Sequence, residues 1–501
     1  MTALQPARPD PPRSRGARPH TPFSPPARIP FPLVDEISRH CLEDDEPETV
    51  HIEVHLPGRL DHDRLRTAFH QALARHPRIL MRQVPTRWWH RHYTWQLTPT
   101  PDTDPVAFPP PGPDALARAR TRALTECPPL DAAPPVRLEV IEPPHTTGHH
   151  RTEDHRPAAA GTVLLLTVHH TALDGPACLR ILATAAELYG GTTPASVSAS
   201  APAPHPEPPA PPPHYRPRPL TRPARLAPDH THTTRPGNGN GDGDGNGNGN
   251  GMLLTELPVP TRPPRPTTGA RPPYTVNDQL LVATYLTAAR WNELHDRPTA
   301  PVVITMPIDD RPRGPHMPIG NGTRLTPVPF PPPPTTPGTP LTPLAPLTSL
   351  LHQTAARTRA LKSATPGSQL GLPATLLTSL PLPVGARRAL TRALRSLAAP
   401  WTPTTLLSNI GRVPYPLDFG ATGGRATAVW FSAPARMPRG LSITTASTHD
   451  GNRIHLALRW SRALLDDAAA AHLLALFRSS LAATAYRPPE GAATRPEGGT
   501  P

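Results

Sequence analysis

Apolar side chains recur along this chain with two different periods, and the alternation of those periods predicts an α/β protein. Residues 60–77 carry them at helical spacing, with Asp61 as the expected cap. Residues 163–168 form a short apolar run typical of a buried strand, and residues 176–190 return to helical spacing before Gly191. A strand, a tight turn and a helix are therefore expected to follow one another without a break.

The second half of the chain repeats this alternation. Asn277 precedes a strongly apolar segment and is expected to cap a helix over residues 278–294. The remaining predicted elements are a strand at residues 302–308, a hairpin of strands 441–447 and 454–460 around an Asp-Gly turn, and a closing helix at residues 465–481. The prediction is an α/β fold of two halves, each a mixed sheet with flanking helices.

Proline and glycine divide the chain into periodic and aperiodic parts. The 501 residues include 80 prolines and 33 glycines, so much of the length is unsuited to a packed core. We predict a disordered tail over residues 1–28, a first half over 29–195, a flexible linker over 196–272, a second half over 273–486 and a disordered tail over 487–501. The linker is Pro-rich at first and later alternates Gly with Asn and Asp.

Composition limits the kinds of partner. The formal net charge is +13, but the basic residues are nearly all arginine, they are scattered, and aromatic residues make up only 4% of the chain. This pattern does not favour a nucleic-acid interface. Three cysteines without paired spacing fit a reducing compartment, and no run of about 18 apolar residues predicts a membrane span. We expect a monomeric cytoplasmic protein.

The turn after residues 163–168 holds the main candidate chemistry, the pattern HHxxxDG formed by His169, His170, Asp174 and Gly175. A histidine held at the end of a strand can act as a general base, because imidazole titrates near neutral pH. Adjacent residues of a strand point to opposite faces, so only one of the two imidazoles can face a cleft. We assign the general base to His170 and a structural role to His169.

With other segments, this pattern makes the chain resemble the chloramphenicol-acetyltransferase-like superfamily, which includes condensation domains of non-ribosomal peptide synthetases, polyketide-associated acyltransferases and plant BAHD acyltransferases. The resemblance covers most of the periodic sequence. It rests, in the family's order, on the helix ending in His-Pro at 76–77, HHxxxDG at 169–175, TVND at 275–278, Asp-x-Arg at 309–311, SNxG at 408–411 and DFG at 418–420. The last departs from the family's DFGWG form, because Ala421 and Thr422 follow it here.

The resemblance implies an active-site channel between the two halves and transfer of an acyl group from a thioester to a hydroxyl or amine acceptor. The donor would be a coenzyme A ester or a phosphopantetheinyl carrier-protein thioester, and no tightly bound cofactor is implied. Because the chain lacks a GxSxG elbow, we expect direct transfer without an acyl-enzyme. The expected setting is secondary metabolism.

The resemblance also implies roles for single residues. Asp174 would point away from the cleft and pair with an arginine of the second half, for which Arg311 is our candidate. Reversing both charges should then be milder for folding than either single change. Gly175 would keep room beside the base. Ser408 and Asn409 would lie near the oxyanion or acyl carbonyl, although a polar turn is an equally good interpretation.

Three specific functions stay open at this point. They are an amide-forming condensation enzyme with carrier-bound donors, a transferase that uses coenzyme A esters, and a non-catalytic binding relative of the fold. No metal site is expected, since the loop histidines His145, His149, His150 and His155 lack fixed spacing.

Two further groups are interpreted as core. Trp88 and Trp89, which lie close to Trp95 in the sequence, are expected in the core of a sheet. Cys178 is expected to be a small core residue.

Overall fold

The computed structural model describes residues 27–42, 46–142, 161–191, 218, 220–229, 249–264, 272–312, 314, 316–333, 344–364 and 379–487. Its strands are β1 (Arg28–Pro30), β2 (Thr49–His55), β3 (Met81–Gln83), β4 (Thr94–Leu97), β5 (Val106–Ala107), β6 (Val136–Ile141), β7 (Val163–His169), β8 (Asn250–Pro258), β9 (Val302–Asp309), β10 (Thr323–Phe330), β11 (Thr405–Arg412), β12 (Ala428–Ser432), β13 (Leu441–Ser447) and β14 (Arg453–Ser461).

Its helices are α1 (Leu33–His40), α2 (His62–Arg75), α3 (Ala115–Thr125), α4 (Gly175–Gly190), α5 (Val276–Leu294), α6 (Leu344–Ser363), α7 (Val384–Ala398), the single turn α8 (Gly420–Gly423) and α9 (Asp467–Ala483). Short 3-10 turns span Pro77–Ile79 and Ala399–Trp401. Among the described residues, no helix has the length and apolar character that crossing a bilayer requires.

A five-stranded sheet lies at the centre of the first half, in the order β12, β2, β7, β6 and β5. Neighbouring strands are antiparallel except for β5 and β6. Every residue of β7 is buried, which accounts for the nearly continuous apolar sequence of that strand. Helix α2 packs against α4 and buries one face, including Leu65, Phe69 and Leu73. A small sheet of β1, β4 and β3 completes this half.

A six-stranded mixed sheet forms the second half, in the order β10, β9, β11, β13, β14 and β8. Strand β11 runs parallel to both β9 and β13, whereas the other pairs are antiparallel. Helix α5 contacts both α6 and α9 and is buried on nearly all sides. The predicted α/β architecture of mixed sheets with flanking helices is confirmed.

One strand of the second half belongs to the sheet of the first. Strand β12 pairs with β2, so that Trp430 lies opposite Glu53 and Phe431 opposite Ile52. Buried side chains from the same region, among them Phe419, join the core of the first half. The two halves are therefore connected by a strand that crosses from the second half into the first sheet, as well as by side-chain packing.

The predicted helices over residues 60–77 and 176–190 are confirmed as α2 and α4, with side-chain caps from Asp61 and Asp174. The cap of α5 is not Asn277 as expected but Thr275, two residues earlier, which forms a reciprocal capping box with Asp278. Asn277 lies inside the first turn, where its amide faces Met306.

The prediction of a linker over residues 196–272 is wrong in two places. Residues 250–258 form β8, which pairs with β14 along its whole length. Leu226 and Ala227 are buried in the core of the second half. Strand β1 also begins at Arg28, the last residue of the predicted tail. Glycine-rich and proline-rich flanks concealed these segments, whose partners lie far away in the sequence.

The expectation of a tryptophan-rich sheet core holds only for Trp95. That residue is fully buried in β4, and its indole N–H donates to Asp35 at 2.9 Å. Trp88 and Trp89 lie in the loop between β3 and β4 and are exposed. Because β3 ends at Gln83 and β4 begins only at Thr94, both tryptophans lie outside the small sheet.

Candidate active site

The candidate site is built on the turn between β7 and α4. The strand ends at His169, opposite Thr49 of β2, and the helix begins at Gly175 with Asp174 as its cap. Asp174 Oδ1 accepts from the backbone N–H of Ala177 at 3.1 Å. Five residues thus connect the strand to the helix, and the first of them, partly exposed, is His170.

His170 is held from both its backbone and its ring. The backbone N–H donates to the carbonyl of Glu48 at 2.7 Å, and Nδ1 lies 3.0 Å from the carbonyl of Leu173. A carbonyl only accepts, so this contact requires the proton on Nδ1 and leaves a lone pair on Nε2. Among the described residues, none forms a hydrogen bond with Nε2, and the side chain is partly exposed. The neutral ring is therefore oriented to accept a proton.

His169 differs sharply from its neighbour. It is buried, and its Nδ1 accepts from the backbone N–H of Thr171 at 3.2 Å. Burial lowers the pKa of His169 to about 4, which keeps the ring neutral over the ordinary pH range. The two histidines thus occupy the separate environments that the alternation of a strand requires.

Asp174 and Arg311 form a buried ion pair across the two halves. Arg311 Nη2 donates to Oδ1 at 2.8 Å and to Oδ2 at 2.7 Å. The same carboxylate accepts from the backbone N–H groups of Gly322 at 2.8 Å and Thr323 at 3.2 Å. Together with the cap to Ala177, these contacts occupy both oxygens, so this carboxylate fixes the turn; in the described part of the chain it forms no hydrogen bond with either imidazole.

Arg311 forms hydrogen bonds with several groups besides Asp174. Its Nε donates to Asp309 at 2.8 Å, and Nη1 donates to the carbonyl of Gly320 at 2.9 Å. Burial alone would lower the pKa of Arg311, but the charges of Asp174 and Asp309 raise it above its ordinary value. The guanidinium therefore ties the end of β9 and the start of β10 to the HHxxxDG turn.

Asn321 reaches the same turn, and sequence reasoning missed it. Its Nδ2 lies 2.9 Å from the carbonyl of Thr171, 3.2 Å from that of His170 and 3.0 Å from Asp35 Oδ1. Burial raises the pKa of Asp35 to about 6, although the hydrogen bonds from Asn321 and Trp95 oppose that rise. The available signal was the position of Asn321 between two glycines, just after the Asp-x-Arg segment.

Two arginines of the second half support the strand next to His170, and these were also missed. Arg436 pairs with Glu48, and its charge lowers the pKa of that carboxyl even though burial opposes ionisation. Arg459 is fully buried, donates to the carbonyl of Thr49 at 2.7 Å, and has its pKa lowered to about 10 by burial. Neither contact has a local sequence signature, because the two join residues 388 and 410 positions apart.

The expected role of Gly175, to keep room beside the base, stays a prediction. Its φ is not positive, and a Cβ there would lie 3.6 Å from Ile410 Cδ1 and 3.7 Å from Phe431 Cδ2. These are ordinary van der Waals distances to side chains of the second half, and His170 is not among the nearest atoms. The cap from Asp174 holds the turn, and the backbone of Gly175 has no conformation that only glycine adopts.

Ser408 and Asn409 lie in the middle of β11 and not in a turn. Asn409 Oδ1 accepts from the N–H of Gly411 at 2.8 Å and from the hydroxyl of Thr445 at 3.0 Å, while Nδ2 donates to Asn277 at 3.2 Å. These bonds stabilise the irregularity that shifts the register of β11 against β13 after Asn409. Contact of either residue with an acyl carbonyl stays a prediction.

Other candidate groups do not add to the site. Cys178 is fully buried, as expected, and burial raises the pKa of its thiol well above the ordinary value. His145, His149, His150 and His155 lie outside the described residues. Within the residues that are described, no group of three or more His, Cys, Asp or Glu side chains has an arrangement suited to a metal ion.

No protein-family model matches the chain. A curated relative, the uncharacterized protein Rv2305 of Mycobacterium tuberculosis, is 26% identical over 449 residues, which cover 86% of this chain and 94% of that protein.

Solved structures match over a similar extent. The starter condensation domain of rhizomide synthetase RzmA, as a mutant in complex with C8-CoA and Leu-SNAC, superposes with a TM-score of 0.54 at 15% identity, covering 92% of this chain and 94% of that one. The condensation domain of the Monacolin K polyketide synthase MokA gives 0.55 at 13% identity, covering 91% and 97%. The chain therefore has the chloramphenicol-acetyltransferase-like fold of condensation domains.

Proposed function

We propose that this protein transfers an acyl group from a thioester donor directly to a hydroxyl or amine acceptor, with His170 as the general base. The observation that carries the proposal is the orientation of His170. Its Nδ1 is committed to the carbonyl of Leu173, so that Nε2 holds the lone pair needed for proton abstraction.

The proposed step balances without a covalent enzyme intermediate. Nε2 of His170 takes the proton of the acceptor as its oxygen or nitrogen bonds to the thioester carbonyl carbon. The carbon–sulfur bond then breaks, and the imidazolium returns the proton to the departing thiolate. The Leu173 carbonyl, which accepts from Nδ1, helps to hold the ring while it is positively charged.

The rest of the HHxxxDG turn serves to position the base. Asp174 is fully engaged by Arg311 and by backbone N–H groups, so we assign it to scaffolding of the turn. Asn321 bonds the carbonyl of His170 itself and is a second positioning residue. Because both contacts come from the second half, the base is set at the place where the halves meet, which supports a substrate channel there.

The class of donor is inferred from the fold. A structural neighbour has been solved with C8-CoA and Leu-SNAC, an acyl-coenzyme A and an aminoacyl thioester. This favours thioesters as substrates of the present chain, with coenzyme A and a carrier-bound phosphopantetheine as the two candidate donors. It also keeps an amine as a candidate acceptor beside a hydroxyl. A monomer working in cytoplasmic secondary metabolism completes the proposal.

The test is an assay of thiol release. The full chain is incubated with coenzyme A esters of increasing acyl length, with and without panels of alcohols and amines, and the products are identified by mass spectrometry. His170→Ala should lower the rate by roughly 10²–10⁴-fold, the usual contribution of a general base. His449→Ala is the matched control, since its Nδ1 also lies near a backbone carbonyl, that of Val413 at 3.3 Å.

The outcomes of this assay distinguish direct transfer from its alternatives. Acceptor-dependent thiol release that requires His170 supports the proposal. Equal rates for wild type and His170→Ala, at equal unfolding midpoints, would refute the assignment of His170 as the general base. Thiol release without an acceptor, together with an acylated protein mass, would overturn direct transfer. Saturable binding of acyl-coenzyme A without turnover on any pair would instead favour the non-catalytic relative.

A further inference from the structure

Asp35, in the first turn of α1, is a carboxylate buried on neutral hydrogen-bond donors. It is only 3% exposed, and its two oxygens accept from the amide of Asn321 at 3.0 Å and from the indole N–H of Trp95 at 2.9 Å. In the part of the chain that the structure describes, no arginine, lysine or histidine forms an ion pair with it. Burying a carboxylate without a cation is costly, and such groups cluster at functional sites.

The Asn321 amide connects Asp35 with the backbone of His170. Its Nδ2 lies 3.2 Å from the carbonyl of His170 and 2.9 Å from that of Thr171, as well as within hydrogen-bond distance of Asp35. An amide nitrogen has two hydrogens, so one serves the carboxylate while the two carbonyls share the other. An amide turned the other way would place its oxygen against three acceptors. The ionised carboxylate therefore fixes the orientation in which Asn321 bonds the HHxxxDG turn.

Helix α1 is held from two sides, which keeps Asp35 in place. On the side of the HHxxxDG turn, the hydroxyl of Ser38 lies 2.9 Å from that of Thr171. On the side of the second half, Glu36 accepts from the buried Arg387 of α7 at 2.7 Å. The carboxylate therefore needs no rearrangement to act on its neighbours, which is the property of a preorganised site.

The charges of Asp35 and His170 act on each other. Burial raises the pKa of Asp35 to about 6. The two hydrogen bonds to its oxygens lower that pKa, and so do the charges of the exposed Arg78 and of protonated His170. Arg78 lies in the 3-10 turn and His170 in the HHxxxDG turn, so these are the cations that the packed elements bring near the carboxylate. Because electrostatic coupling is reciprocal, the ionised Asp35 stabilises a positive charge on the His170 ring.

Other carboxylates of this region have cations of their own, Glu36 with Arg387 and Glu48 with Arg436. Glu48 also lies close enough to His170 for their charges to interact, but Arg436 balances the charge of Glu48. Of these three described carboxylates, Asp35 alone has no bonded cation. Its charge is therefore left to act on His170.

We propose that Asp35 is a positioning residue for the general base. In its ionised form it holds the Asn321 amide on the backbone of His170, and its charge stabilises the imidazolium that forms when Nε2 takes the proton of the acceptor. Asp35 itself neither gains nor loses a proton in this step. The role rests on the proposed function of His170 and extends it, because it makes full activity depend on the ionisation of a second group.

A titration without substrate tests the coupling. The chain has seven tryptophans, so nuclear magnetic resonance can follow their indole N–H signals one by one in the isotope-labelled full chain, and Trp95→Phe identifies the signal of Trp95. This signal should titrate with a midpoint at about pH 6, as its acceptor Asp35 ionises, and should lose that step in Asp35→Asn. His170→Ala removes the facing cation and should move the midpoint to higher pH. His449→Ala is the matched control and should leave the midpoint unchanged.

The assay of thiol release tests the role in catalysis. Asp35→Asn keeps the size of the side chain and removes its charge, and we expect a rate about 10- to 100-fold lower, the scale of effect that a slightly misplaced catalytic group produces. The acid limb of the rate profile, measured between about pH 5 and 8, should move to lower pH, because the imidazolium has lost an anionic neighbour. Asp229→Asn is the matched control and should keep the wild-type rate and profile. Asp229 is also buried, and it accepts the N–H of Asp466 at 2.6 Å near the start of α9.

Failure of this role and failure of the proposed function give different results. A Trp95 signal that does not titrate at about pH 6, or a midpoint that His170→Ala leaves in place, would overturn the role of Asp35 even where thiol release requires His170. A lower rate in Asp35→Asn with an unchanged acid limb would assign Asp35 to folding alone and would overturn the role as well. A midpoint that depends on His170, in a chain that releases no thiol from any donor, would support the coupling and refute the proposed function instead.

Discussion

Asp174 and Arg311 are 137 residues apart in the sequence, and one guanidinium nitrogen, Nη2, lies 2.8 Å and 2.7 Å from the two carboxylate oxygens. The carboxylate also caps α4 and accepts two backbone N–H groups at the start of β10. A single side chain thus joins a strand end, a helix start and a loop of the other half. Its main consequence is to hold the turn that carries His170.

Breaking this pair should destabilise the protein. Arg311→Met leaves the buried carboxylate of Asp174 without its cation, and we expect it to lower the free energy of unfolding by about 3–5 kcal/mol. Asp174→Asn leaves Arg311 with Asp309 as its carboxylate partner and is expected to cost less. Urea denaturation followed by circular dichroism measures the change. A loss below about 1 kcal/mol for both, the range of exposed pairs, would mean that the contact is not maintained in solution.

Reversal of both charges should not restore stability, contrary to what a simple ion pair suggests. An arginine at position 174 cannot accept the N–H groups of Ala177, Gly322 and Thr323. Asp174→Arg/Arg311→Asp is therefore expected to unfold at a urea concentration no higher than either single reversal. Recovery to the wild-type midpoint would show that the stability contributed by this pair comes mainly from charge and not from the set of accepted hydrogen bonds.

Gly175 should tolerate a methyl group. Its backbone is in an ordinary conformation and the added Cβ would make normal contacts with Ile410 and Phe431, so Gly175→Ala is expected to change stability by less than about 1 kcal/mol. Gly191→Ala is the comparison, because φ is +69° there and alanine would be strained. Thermal unfolding should rank Gly191→Ala as the less stable protein, and the opposite order would refute this account of the turn.

Stability should fall with acidification through His51. This histidine is fully buried in β2, with Nδ1 2.9 Å from the hydroxyl of Ser432, and burial followed by the charge of Arg459 lowers its pKa to about 3. In the unfolded chain the pKa of His51 is near 6.5, so between the two pKa values His51 is protonated in the unfolded chain and neutral in the folded chain. The stabilisation is complete above pH 6.5 and is lost as the pH falls toward 3, by up to about 1.4 kcal/mol per pH unit.

Urea titrations between pH 7 and 4 test this dependence. His51→Gln should show a shallower decline of unfolding free energy than wild type. His62→Gln changes an exposed histidine and should leave the slope as it is. Identical slopes for all three proteins would exclude His51 as a source of the acid sensitivity.

Asn409 and Ser408 should separate structural from catalytic contributions in β11. Asn409→Ala removes bonds to Gly411, Thr445 and Asn277, and we expect a loss of about 1–3 kcal/mol in unfolding free energy. Ser408→Ala should change stability by less than about 0.5 kcal/mol. If Asn409→Ala is as stable as wild type but releases thiol far more slowly, the side chain contacts the reacting carbonyl and our structural assignment fails.

Local chemistry was enough to predict the elements on which the site stands. The helical spacing of α2, the buried run of β7 and the β13–β14 hairpin around its Asp-Gly turn all match the structure. Caps and turns act over three or four residues, so their signals lie within a short stretch of sequence. Where two caps compete within one turn, as at Thr275 and Asn277, the pattern alone chose the wrong residue.

The HHxxxDG pattern fixed which side chains stand at the end of β7, and strand alternation separated His169 from His170. Only the folded chain decided what surrounds them: the Asn321 amide on the carbonyl of His170, Arg459 on the neighbouring strand, and β12 inserted beside β2. Such contacts join segments that are independent until the sheets pack, and their energies depend on burial and distance in three dimensions. The sequence therefore determined the candidate base, and tertiary packing determined how that base is held.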